Sequence, residues 1–126
     1  MDYRLQNISI KIKDIKPFKP TPLTELLGSS IEIKKNSVVC DIGTGCGILA
    51  ILASKLGAKK VYAIDVDKNC RKSISANSKI NKVRNIEFLQ GDMLEPLKEK
   101  VDIITANLPQ TPSNKKIIPQ RYGSFD

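Results

Sequence analysis

The chain has 126 residues, three cysteines and no histidine, which predicts one domain around a single core and excludes imidazole-dependent nucleophilic, acid-base and metal chemistry within it. Hydrophobic residues at 40% and charged residues at 27% suit a globular chain, and no apolar run approaches the roughly 20 residues of a membrane span. The formal net charge of +8 favours an acidic partner such as RNA or the ribosome surface, although scattered lysines also serve simple solubility.

Met1 to Leu5 lacks the basic-then-apolar order of a secretory signal, so a soluble cytoplasmic protein is expected. Cys40, Cys46 and Cys70 lack the close pairing of a zinc site and read as reduced, semi-buried residues. No metal is expected.

From Gln6 to Lys13 polar and apolar residues alternate, with Ile8, Ile10 and Ile12 on one face, which predicts a half-exposed strand. Pro17, Pro20 and Pro22 then keep the backbone extended. From Thr21 or Pro22 a short helix carries Leu23, Leu26 and Leu27 on one side and is closed by Gly28. After a turn at Lys34-Lys35-Asn36, the apolar run from Val38 predicts the first core strand, ending at Asp41.

Gly43, Gly45 and Gly47 follow, and then Leu49, Leu52, Ala53 and Leu56 recur at helical spacing. Val61 to Asp65 is a second strand, reached through Gly57. Asp67 is placed to cap a helix over 68–80, near whose end Asn77 and Asn81 are expected to be solvated. Ile86 to Gln90 is a third strand, followed by Gly91-Asp92-Met93 and a helical turn from Leu94 to Lys98. Val101 to Asn107 is the fourth.

This order of elements predicts an α/β, Rossmann-like parallel sheet with flanking helices and right-handed crossovers. Ligands of such sheets lie beyond the carboxyl ends of the strands, where Asp41, Asp65, Asp92 and Asn107 all fall. Three glycines at every second position let the backbone take positive φ and bring the main chain against a small molecule, with a helix N-terminus behind it. A dinucleotide fingerprint would need Gly or Ala where Ile48 stands, and a P-loop would need a lysine in the loop.

Asp41-x-Gly43-x-Gly45-x-Gly47 resembles the first motif of the class I S-adenosylmethionine-dependent methyltransferases, and the likeness continues through Asp65, Gly91-Asp92 and Asn107-Leu108-Pro109. Lys55 to Val61 is similar to ribosomal protein methyltransferases. Asn107-Leu108-Pro109-Gln110 resembles the Asn-Pro-Pro-Tyr motif of amino-group methyltransferases, nearest to the release-factor glutamine enzymes and the RNA or DNA adenine enzymes. The resemblance implies a cofactor site of Thr21, Asp41, Gly43, Thr44, Gly45, Gly47, Asp65, Val66, Asp92, Met93 and Asn107. It also implies catalysis at Asn107, Leu108 and Pro109.

Chemistry gives those positions reasons. Asp65 can accept both hydroxyls of a ribose diol, and Asp92 the adenine amino group. The Asn107 amide oxygen and the Leu108 carbonyl can accept two N–H bonds from a planar nitrogen and turn its lone pair toward the methyl, while Pro109 stiffens the hairpin. Gln110 departs from the aromatic residue usual in the motif, and an ordinary strand-ending turn is the alternative reading.

The chain divides into an N-terminal strand and lead-in (1–36), a cofactor-binding core (37–110) and a tail (111–126), and the usual C-terminal half of the methyltransferase fold is missing. One face of the sheet is therefore expected to lie bare, which predicts self-association, a complementary subunit or a shortened gene. The function expected is N-methylation of a protein glutamine or an RNA base of the translation machinery. The alternative is an inactive cofactor-binding remnant or subunit that needs a partner chain.

Overall fold

The structure, a computed structural model, describes residues 1–13 and 19–107. Leu108, Pro109 and Gln110, the tail and Pro17 lie outside the described residues.

Strands β1 (Asp2–Leu5) and β2 (Ile8–Lys11) form an antiparallel hairpin rather than the single strand expected from Gln6 to Lys13. The reason lies at the turn: Gln6 and Asn7 both take left-handed conformations, with φ of 51° and 62°, which matches the twist of a two-residue hairpin. Gln6 then reaches across to α1 (Pro22–Ser30), where its Nε2 donates to the carbonyls of Gly28 and Ile31 at 2.9 and 2.7 Å. That satisfies acceptors which a helix end otherwise leaves open.

Thr21 caps α1 through a reciprocal box with Thr24, and Pro22 opens its first turn. Gly28 does not close this helix, which runs on to Ser30. A Cβ there would stand 2.6 Å from Leu5 Cδ1, so the glycine serves close packing of α1 on the hairpin.

The central sheet contains β3 (Val38–Ile42), β4 (Lys60–Asp65), β5 (Ile86–Gln90) and β6 (Ile103–Ala106), all parallel, in the order β5-β4-β3-β6. Helix α2 (Ile48–Lys55) links β3 to β4, and α3 (Cys70–Ile80) links β4 to β5. The expected α/β class and strand sequence are thus present. The segment from Leu94 to Lys98 forms turns rather than a helix.

Every residue of α2 from Ile48 to Ala53 is buried, as befits a helix that is apolar all round. Ala50 and Ala53 pack on the sheet with Val39, Val61 and Ala63. Ile48, Leu49, Ile51 and Leu52 meet Leu5, Ile10 and Ile12 of the hairpin layer. Burying each of those three aliphatic side chains contributes about 1.5–3 kcal/mol, which holds the N-terminal segment on the core.

Two asparagines lock this layer to α3. Asn77, fully buried, accepts from Lys13 N and donates to the Cys46 carbonyl, both at 2.9 Å. Asn81 accepts from Lys11 N at 2.9 Å and donates to the Lys11 carbonyl at 2.7 Å. The expected solvated positions are therefore inside, because the hairpin lays its unpaired edge against α3 and these amides supply its partners. Asp67 accepts from Asn69 N at 2.9 Å as a local turn, while Asn69 holds the cap position itself.

The second face of the sheet, expected to be bare, carries cover among the described residues. Met93, Leu94, Leu97 and Val101, all half-buried, pack over Cys40, Ile42 and Ile64 as the chain returns from β5 to β6.

Candidate functional site

The chain runs outward from β3 through β4 to β5 and then crosses back to place β6 on the other side of β3. Beyond the carboxyl ends of these strands, where the order reverses, opens a cavity of about 570 Å³. Among its walls are Thr21, Asp41, Gly43, Thr44, Gly45, Asp65, Val66, Asp92, Met93 and Asn107. Ten of the described residues singled out in the sequence thus meet at one place. Gly47 stands behind them: it is the N-cap of α2 with φ 87°, and a Cβ there would come within 3.0 Å of Ile74 Cγ1.

The glycine loop bends because the main chain requires it. Gly43 and Gly45 have φ of 69° and 56°, the left-handed region that side chains rarely adopt. The N–H groups of Gly43 and Thr44 donate to the Ile64 carbonyl at 2.8 and 3.1 Å, which ties the loop to β4. A Cβ on Gly45 would meet no protein atom within 4 Å, so the loop offers bare backbone to the cavity.

Asp65 fastens the loop from the other side. One carboxylate oxygen accepts Gly45 N at 3.0 Å and the other accepts Asp67 N at 3.0 Å. A carboxylate has about four acceptor positions, so each oxygen keeps capacity for a ligand hydroxyl. Asp92 lies exposed across the opening, and Met93 beside it takes φ 54°.

Asp41 is almost fully buried at 1% exposure, and its Oδ1 accepts from the Thr105 hydroxyl at 2.7 Å. Among the described residues no hydrogen bond of good geometry reaches its Oδ2 or the Thr44 hydroxyl. Burial pushes the Asp41 carboxyl up to about 6, an effect that the Thr105 and Thr44 hydroxyls oppose and the nearby Asp65 charge reinforces. A buried carboxylate in the wall of a cavity, served by hydroxyls and by no cation among the described residues, suits a cationic or donor group on the ligand. The three thiols are free and buried, and desolvation pushes Cys40 and Cys70 up to about 12 and Cys46 to about 11, so none is a nucleophile.

Asn107 lines the same cavity, its main-chain N–H donating to the Ile42 carbonyl at 3.2 Å. Its side-chain Nδ2 donates to Thr24 Oγ1 at 2.6 Å. In the sequence Thr24 belongs to the short helix after Pro22, and no local pattern ties it to Asn107. Its neighbours Lys19, Pro20 and Leu23 also line the cavity.

Carboxylates of Asp41, Asp65 and Asp92 at one cavity disfavour a phosphate-bearing dinucleotide by like-charge repulsion. The same set suits a ligand with an ammonium, a ribose diol and an adenine amino group, so the residues present fit S-adenosylmethionine. No group of histidine, cysteine and carboxylate side chains capable of holding a metal occurs among the described residues. No helix among them is long and apolar enough to cross a membrane.

Residues 23–113 match the family model described as ribosomal protein L11 methyltransferase (PrmA). The chain is 44% identical over 90 residues to a ribosomal protein L11 methyltransferase of Exiguobacterium sibiricum, covering 69% of this chain and 29% of that protein. Its fold is similar to the ribosomal protein L11 methylase of Lactobacillus delbrueckii, with a TM-score of 0.60 and 37% identity over 68% of this chain and 44% of that one. A dimethyladenosine transferase from Plasmodium falciparum is similar too, with a TM-score of 0.57 and 32% identity over 69% of this chain and 31% of its own. The chain thus spans less than a third of the length of the Exiguobacterium relative.

Proposed function

Since the chain belongs to the ribosomal protein L11 methyltransferase family, we propose that it binds S-adenosylmethionine in the cavity at the β3–β6 switch and takes part in N-methylation within the translation machinery, in the cytoplasm. The observation that carries this reading is the buried Asp41 carboxylate set beside a glycine loop with open space over Gly45. When bound, S-adenosylmethionine supplies an electrophilic methyl on a sulfonium that leaves as a neutral thioether.

The chain's own residues position and orient. Asp41 and Thr44 would receive the ammonium of the methionine end, Gly43 to Gly47 its carboxylate, and Asp65 the ribose diol. Asp92 and Met93 border the adenine, and Thr21 and Val66 close the walls. Asn107 would use its amide oxygen to accept an N–H bond from the acceptor nitrogen, a role that the sequence motif shares with Leu108 and Pro109. In-line attack needs mainly placement, which such groups provide.

The relatives' name favours a nitrogen on a ribosomal protein as acceptor, ahead of a release-factor glutamine amide. Likeness to a dimethyladenosine transferase supports an RNA base as the second reading. A further reading is a catalytically inactive cofactor-binding remnant, or a subunit that needs a partner chain.

Calorimetry with S-adenosylmethionine tests the site. Asp65→Ala is expected to weaken binding at least tenfold, and an unchanged affinity would overturn the assignment. Transfer of radiolabel to ribosomal protein, release factor or bulk RNA then separates the acceptors. Label that appears only after a second chain is added selects the subunit reading.

A further inference from the structure

Away from the cofactor cavity, α3 and the edge strand β5 enclose a groove of about 950 Å³. Arg71, Lys79, Lys82 and Arg84 line it, and no carboxylate does. All four are exposed, and none forms an ion pair with a described residue. From Arg71 to Lys79 the helix rises about 12 Å, so the cations form a track rather than one point of charge. Half-buried Val83 and Ile86 give the groove an apolar floor, and the other apolar residues that line it, Ile74 and Phe88, are buried.

Two details go beyond a solvated lysine-rich face. The Arg71 guanidinium lies 5.1 Å from the Phe88 ring centroid, which holds its planar fork in place for bidentate contact with an oxyanion. Lys82 stands just past the helix with φ 59°, where glycine or asparagine is the ordinary choice and a longer side chain is strained. Helix-end electrostatics explain Lys79 and Lys82, but the effect fades beyond the last turn and leaves Arg71 and Arg84 without that reason.

We propose that this groove is a docking surface for single-stranded RNA. Separated cations along an apolar floor suit a phosphodiester backbone with sugar and base faces beneath it. Ser75 and Ser78 lie between the cations and can bond phosphate or ribose oxygens. An acidic peptide would satisfy the charges and leave the apolar floor against polar backbone. The inference rests on this face alone, so methyl transfer can fail while it stands.

Fluorescence anisotropy with a labelled single-stranded RNA of about a dozen nucleotides tests it. The groove variant combines Arg71→Ala, Lys79→Ala, Lys82→Ala and Arg84→Ala. The control combines Lys11→Ala, Lys13→Ala, Lys34→Ala and Lys35→Ala, which removes equal charge elsewhere. We expect the groove variant to lose at least tenfold in affinity and the slope of log affinity against log salt to fall by about 3, as four cations on a single strand imply. The control should change affinity less than threefold.

Equal losses in the two variants overturn the proposal, as does a wild-type protein that binds polyglutamate and not RNA. If the groove variant does not fold, Lys82→Gly replaces it, since glycine suits the left-handed backbone. That variant should bind RNA two- to fourfold more weakly, and undiminished binding refutes the groove.

Discussion

Asn107 and Thr24, 83 residues apart in sequence, are joined by a 2.6 Å hydrogen bond from the asparagine Nδ2 to the threonine Oγ1. With its amino side engaged by α1, the amide has one orientation in which its oxygen is left for another group. The threonine that closes the capping box of α1 therefore also sets the asparagine at the end of β6.

Thr24→Val should remove that acceptor and half of the capping box. Leaving a partly buried donor unpaired costs about 1–3 kcal/mol, read as a lower midpoint in urea. Thr24→Ser should recover most of it. In the assembled transfer reaction the valine variant should lower kcat more than cofactor affinity; equal effects on both would mean that Thr24 acts through folding alone.

Asp41 predicts a dependence on pH. Its carboxyl titrates near 6 in the folded chain against an ordinary 3.8. A raised folded value means that stability is fullest below the unfolded value and is lost as pH rises through about 6. The shift of roughly 2 units corresponds to about 3 kcal/mol. Asp41→Asn should flatten the urea midpoint between pH 4 and 7, and an ammonium-bearing ligand should bind the wild type more tightly as pH rises through the same window.

Gly45 separates ligand binding from folding. Alanine there meets no protein atom, so only backbone strain opposes it, about 1 kcal/mol. The methyl would project into the space over the loop. Gly45→Ala should shift Tm by only a few degrees while weakening S-adenosylmethionine at least tenfold by calorimetry.

Asn77→Ala should be the costliest of these variants, about 2–4 kcal/mol, because it leaves the buried Cys46 carbonyl and the part-buried Lys13 N without their partner. Amide exchange should speed up in the hairpin and in the glycine loop together. Exchange confined to the hairpin would show that the two are independent.

The parallel core was legible because β3, β4 and β5 are short apolar runs ended by polar residues, and the glycine loop has few physical alternatives. The first strand was not, since Gln6-Asn7 is an uncommon pair for two left-handed residues in a row. Asn77 and Asn81 looked like solvated helix positions because their partners, Lys11 and Lys13, belong to a hairpin distant in sequence. Helix α2 showed one stripe, yet both its sides are covered, which no single-helix periodicity reveals. Thr24 was hidden for the same reason: its meaning comes from a strand 83 positions later.

The three thiols make the molecule its own reporter. Cys40 sits in the central strand, Cys46 in the glycine loop and Cys70 at the start of α3, each buried and held in the unreactive protonated form at neutral pH. An alkylating reagent then marks only moments when one of these parts opens, and labelling rates become separate clocks for the strand, the loop and the helix. A ligand seated over the loop should slow the Cys46 clock most.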